Sequence, residues 1–127
     1  MSPSKFFLAA SAIVAAPATA AGIRPFDGAE FKVLQARNAP AVIFVHAPWC
    51  PICRAQEKTI KTLLATRKYK DVTVLTIDFD TQKPLWTKFG ATQQSTLIGF
   101  HGRRETAHLA YTADPAKVTD VLASSIR

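Results

Sequence analysis

Ala41-Val42-Ile43-Phe44-Val45-His46-Ala47-Pro48-Trp49-Cys50-Pro51-Ile52-Cys53-Arg54 is the stretch on which the fold turns. Its first six residues form a short apolar, β-branched run, which reads as a buried strand. Pro48 to Cys53 reads as a turn opening into a helix. Pro51 suits the first helical turn, where its missing N–H has no partner to lose. Ile52, Ala55, Ile60, Leu63 and Leu64 then recur at helical spacing, so the helix is expected from about Pro51 to Thr66.

On the N-terminal side, Gly28 to Arg37 carries Phe31 and Leu34 among polar residues and predicts a short helix, broken by Asn38-Ala39-Pro40. On the C-terminal side, Val72 to Ile77 is a second buried strand. Thr81 to Phe89 is a short helix with Leu85, Trp86 and Phe89 inward, ended by Gly90. Thr96 to Phe100 is a third strand, His101 to Arg104 a turn, and Glu105 to Tyr111 a fourth strand. Asp114 caps a last helix whose apolar face is Val118, Val121, Leu122 and Ile126. Strands separated by helices imply parallel neighbours, and the turn through Gly102 adds an antiparallel pair. The expectation is an α/β fold: one small mixed parallel/antiparallel sheet with helices on both faces, occupying residues 21–127.

Residues 1–20 read differently. Lys5 supplies a positive start, Phe6 to Ala16 is apolar, and Ala18-Thr19-Ala20 offers small residues for cleavage. That pattern predicts a secretory signal peptide cut after Ala20, and hence a soluble periplasmic protein. The apolar run is shorter than the ~20 residues of a spanning helix. Lys5 accounts for one unit of the net charge of +7, leaving +6 after cleavage. The basic residues are scattered, without the dense run or interleaved aromatics of a nucleic-acid surface. A solvated monomer that binds no nucleic acid is expected.

There are two cysteines, in one C-x-x-C. A bridge closing so short a loop is a weak staple, because loop-closure stabilisation grows with loop size. In an oxidising compartment the pair reads as a redox-active dithiol. Cys50 lies at a helix start, where unpaired N–H groups and the positive dipole end favour a thiolate. It is the expected attacking residue, with Cys53 one turn on resolving the mixed disulfide. A structural zinc site needs four ligands, and no second C-x-x-C is present.

The order of elements, with W-C-x-x-C between a buried strand and a long helix, resembles the thioredoxin family. "VIFVHAPWCPICR" is similar to its active-site segment, "VLTIDFD" to its central strand, and "STLIGFHG" to the strand after its active-site proline loop, with Gly102 as the hairpin glycine. The resemblance covers roughly Phe26 to Ile126. It implies a thioredoxin-like fold and thiol–disulfide exchange without a cofactor. It also implies that Trp49, Gln94 and Ser95 contact the substrate.

Several positions depart from the family pattern. Ser95, after Gln94, stands where the family has a cis-proline; a non-proline cis bond costs ~3 kcal/mol, so a trans or strained peptide is expected. Phe44, six residues before Cys50, stands where the family has a buried carboxylate, and Val74 where it has a lysine. Glu57, seven residues after Cys50, is a candidate for proton transfer in the manner of Dsb-type oxidases; its plainer role is an exposed partner of Lys61. His46, at a usually aromatic position, is a second candidate for proton transfer. Lys58 replaces a mid-helix proline.

The leading expectation is an exported reductant of protein disulfides, acting on protein dithiol/disulfide substrates and recharged by a membrane-bound electron donor. No metal is expected in that role. Two alternatives stand beside it: a metal-binding or metal-delivery module using Cys50, Cys53 and His46, and a non-catalytic domain holding a peptide beside Ser95.

Overall fold

A computed structural model describes residues 21–127; the expected signal peptide and its cleavage site lie outside the described residues. The elements run β1 (Ile23–Pro25), α1 (Gly28–Ala36), β2 (Pro40–His46), α2 (Pro51–Leu64), β3 (Thr73–Asp78), α3 (Lys83–Lys88), β4 (Thr96–His101), β5 (Arg104–Ala110) and α4 (Pro115–Ser125). The sheet order is β1-β3-β2-β4-β5. β3 pairs in parallel with β1 and β2, while β4 pairs antiparallel with β2 and β5. The mixed sheet is therefore as expected.

β2 is central and apolar on both faces because helices cover both. Val42 and Phe44 share a cluster with Cys50, Cys53, Ile60, Val118, Val121 and Leu122, which carries α2 and α4. Ile43 and Val45 point the other way, into a cluster with Phe31 of α1 and Trp86 of α3. The period-two alternation of a strand thus splits one apolar run between two cores. In the second, Phe31 meets Phe26, Phe89 and Phe100 with ring centroids 5.3–5.8 Å apart.

The structure corrects several expected bounds. β1 was not expected: three residues ending in Pro25 carry no readable alternation, and the strand is held by its register of Ile23 against Val74. α2 stops at Leu64 rather than Thr66, where the Thr66 hydroxyl and N–H both donate to the Leu63 carbonyl. α3 spans Lys83–Lys88, not Thr81–Phe89, because Pro84 is confined to the first turn. β5 ends at Ala110, since Tyr111 turns to φ +62°. Ala55, expected inward, is exposed; Gln56 takes the inward place in line with Cys53 and Ile60.

Glycine is required at Gly99. A Cβ there would lie 2.7 Å from Thr106 Oγ1, 3.0 Å from Ser124 Oγ and 3.2 Å from the Val121 carbonyl oxygen. Its absence lets α4 settle directly on β4 and β5.

Candidate active site

The site forms where β2 ends and β4 begins. Their antiparallel register sets Val45 opposite Thr96, so the residue before β4 lies beside the loop after β2. That residue is Ser95, and its N–H donates to the Val45 carbonyl at 2.9 Å. The described backbone contains no cis peptide, so the Gln94–Ser95 bond is trans. The strain appears instead at Ser95 itself, with φ +61°. For a residue with a Cβ this left-handed region costs about 1–2 kcal/mol.

Cys50 is the N-cap of α2. Its Sγ accepts the Cys53 N–H at 3.2 Å, the role that a serine or aspartate oxygen fills at most helix starts. The dithiol pair is buried, with Cys50 at 2 % exposure and Cys53 at 0 %. Ser95 Oγ lies 3.0 Å from Cys50 Sγ and 3.1 Å from Cys53 Sγ. One hydroxyl therefore spans both sulfurs.

The two sulfurs are driven apart in acidity. Burial pushes the Cys50 thiol up. Hydrogen bonds from the Cys53 thiol, the Ser95 hydroxyl and the N–H groups of Cys53 and Ile52 outweigh it and hold Cys50 below the usual thiol range. Burial and the adjacent Cys50 sulfur push Cys53 up, and its own bonds to Ser95 and the Ala47 backbone only partly offset them. The negative charge thus settles on the sulfur at the helix N-terminus, where the dipole favours it.

Trp49 is 56 % exposed at the rim. Its indole Nε1 donates to Asp80 Oδ2 at 2.8 Å, and its ring meets Phe79 edge-on at 6.5 Å. Asp80 did not figure in the sequence reading, because 31 residues separate it from Trp49. Gln94 is half-buried beside Ser95. His46 and Glu57 face each other, Nε2 to Oε2, at 3.8 Å, while Glu57 also meets Lys61 at 3.4 Å. The partners of Glu57 are thus Lys61, the i+4 lysine of its plainer role, and His46. His46 is not gathered with the cysteines into a ligand set. Among the described residues no group of three or more His, Cys, Asp or Glu is placed to hold a metal ion.

Sequence reasoning missed Gln56. It is fully buried on α2, and its Nε2 donates to the Ser95 carbonyl at 3.0 Å and the Thr112 carbonyl at 2.9 Å. Its position three residues after Cys53 and four before Ile60 was the available signal, since all three share one helical face.

Similarity to known proteins extends over most of the chain. A family model described as thioredoxin matches residues 23–124. The chain is 28% identical to Thioredoxin-1 of Drosophila melanogaster over 108 residues, which is 84% of this chain and 98% of that one. The crystal structure of Trxlp from Edwardsiella tarda is 35% identical with a TM-score of 0.75, covering 80% of this chain and 98% of that one. The germline-specific thioredoxin Deadhead of Drosophila melanogaster is 29% identical with a TM-score of 0.64, covering 81% and 96%.

Proposed function

The chain belongs to the thioredoxin family of oxidoreductases, and from that premise we propose that it is an exported thiol–disulfide oxidoreductase that reduces disulfides in periplasmic proteins. Cys50 attacks the substrate disulfide as a thiolate. Cys53 then attacks Cys50 Sγ, closing the internal disulfide and releasing the reduced substrate. A membrane-bound dithiol donor returns two electrons to the pair. Trp49 offers the apolar rim on which a substrate chain docks, and Gln94 with Ser95 contacts it beside the cysteines.

One observation supports this reading above the others. The Cys50 sulfur caps a helix and lies 3.0 Å from the Ser95 hydroxyl, while Cys53 is fully enclosed beside it. A charged nucleophile and a protected resolving thiol are what sequential exchange needs.

Insulin reduction tests the chemistry: Cys50→Ser is expected to abolish it, and retained turnover would overturn the role of Cys50. The direction of electron flow is read from the potential of the pair. A value near about −270 mV supports a reductant, whereas one near about −120 mV makes the protein an oxidant. Export is tested by N-terminal sequencing of the periplasmic fraction, expected to begin at Ala21. Uncleaved protein confined to the cytosol refutes it.

A further inference from the structure

Resting on this reading of Cys50 and Cys53, we propose that the Ser95 hydroxyl carries the proton in the resolving step and that Gln56 is the positioning residue that holds it between the sulfurs.

Cys53 must lose its proton as it attacks. It sits in an apolar cluster with Val42, Phe44, Ala47, Val74 and Leu97, all buried. Among the described residues, the side-chain oxygen within hydrogen-bond distance of its sulfur is Ser95 Oγ, at 3.1 Å. The same oxygen lies 3.0 Å from Cys50 Sγ, the atom to which the departing substrate sulfur is bonded in the mixed disulfide. A hydroxyl is both donor and acceptor, so it can take one proton as it gives another.

The balance is complete. Cys53 Sγ forms a bond to Cys50 Sγ, and the bond from Cys50 to the substrate sulfur breaks. The bonding pair leaves with the substrate as a thiolate. Ser95 Oγ accepts the Cys53 proton and passes its own to that thiolate. The enzyme dithiol is oxidised by two electrons, the substrate disulfide is reduced by two, and the serine ends unchanged.

The hydroxyl is useful only if it stays put. The Ser95 backbone, at φ +61°, is fixed from three sides: its N–H on Val45, and its carbonyl accepting from Tyr111 N–H and Gln56 Nε2, each at 3.0 Å. Gln56 is a costly residue in its place. It is fully buried and its Oε1 has no hydrogen-bond partner among the described residues, a deficit that an apolar side chain would avoid. In return the two N–H groups of its amide tie α2, which carries Cys53, to the Ser95 and Thr112 carbonyls.

The test follows the mixed disulfide with insulin by acid quench and mass spectrometry, reading its formation and decay separately. Ser95→Gly deletes the hydroxyl but accepts φ +61°. Gln56→Met deletes the amide but keeps the volume. The mixed disulfide is expected to decay at least tenfold more slowly in Ser95→Gly and several-fold more slowly in Gln56→Met. The double variant should be no slower than Ser95→Gly alone. Decay within twofold of wild type in Ser95→Gly overturns the relay. Multiplicative slowing in the double variant overturns the claim that Gln56 acts through Ser95, because a merely structural glutamine would slow both backgrounds alike. If Cys53→Ser forms no mixed disulfide at Cys50 at all, the exchange reading fails and the relay falls with it.

Discussion

Replacing Ser95 by proline would restore the residue that the family places there, and the geometry says that it should destabilise this protein. Proline holds φ near −65°, whereas Ser95 stands at +61°. Proline also lacks the N–H that reaches the Val45 carbonyl at 2.9 Å. Val45 is fully buried, and leaving its carbonyl unpaired costs about 1–3 kcal/mol. Rotating the backbone to negative φ swings the Ser95 carbonyl away from Gln56 and Tyr111, two further bonds worth about 1 kcal/mol each. Relief of the left-handed strain returns about 1–2 kcal/mol. The balance is a loss of about 2–3 kcal/mol, a large part of the 5–15 kcal/mol by which a small domain is stable. Urea denaturation of the reduced protein measures it. With a slope of about 1.5 kcal/mol/M, the midpoint should fall by about 1.3–2 M at unchanged slope. A midpoint at or above that of wild type would refute the reasoning, because it would mean that the loop has a second backbone solution satisfying the same carbonyls.

Cys50 should react with iodoacetamide at pH values below the usual thiol range, losing rate only as pH drops through its lowered pKa, while Cys53 should label only at high pH. Equal pH profiles for the two, resolved by peptide mass spectrometry, would contradict the charge asymmetry. Phe44→Asp, which restores the family's carboxylate without its lysine, exchanges a fully buried ring for an unpaired acid. It should cost more than the about 3–5 kcal/mol of a large-to-small core change, and a thermal midpoint like that of wild type would refute this. Gly99→Ala should lose about 1–3 kcal/mol through crowding against Thr106, Ser124 and the α4 backbone, read by the same urea titration; an unchanged midpoint would show that α4 moves freely.

What was legible in the sequence followed from periodicity and from one motif. β2 announced itself because both its faces are buried, and α2 because proline and cysteine mark its start. β1 escaped because its three residues gain their order from β3, a partner far along the chain. Gln56 escaped because a polar residue on a helix reads as solvated unless its neighbours at three and four residues are weighed with it. Asp80 escaped for want of any local cue to Trp49. Ser95 was legible as a departure from the family, but its bridging of both sulfurs depends on a backbone angle that no residue pattern announces. Phe44 and Val74 were legible as replacements, and the structure shows why they suit each other: both belong to the apolar cluster around the cysteines.

The two tryptophans of the chain divide optical labour. Trp86 is buried, stacked on Phe79 at 5.1 Å, and its indole donates to the Phe79 carbonyl at 3.0 Å. Its emission should follow only the integrity of the α3 core. Trp49 is solvent-facing and adjacent to Cys50, where a closed disulfide quenches an excited indole more strongly than a dithiol does. Replacing either tryptophan by phenylalanine would therefore separate two signals, one reporting unfolding and one reporting the oxidation state of the pair, from a single unlabelled protein.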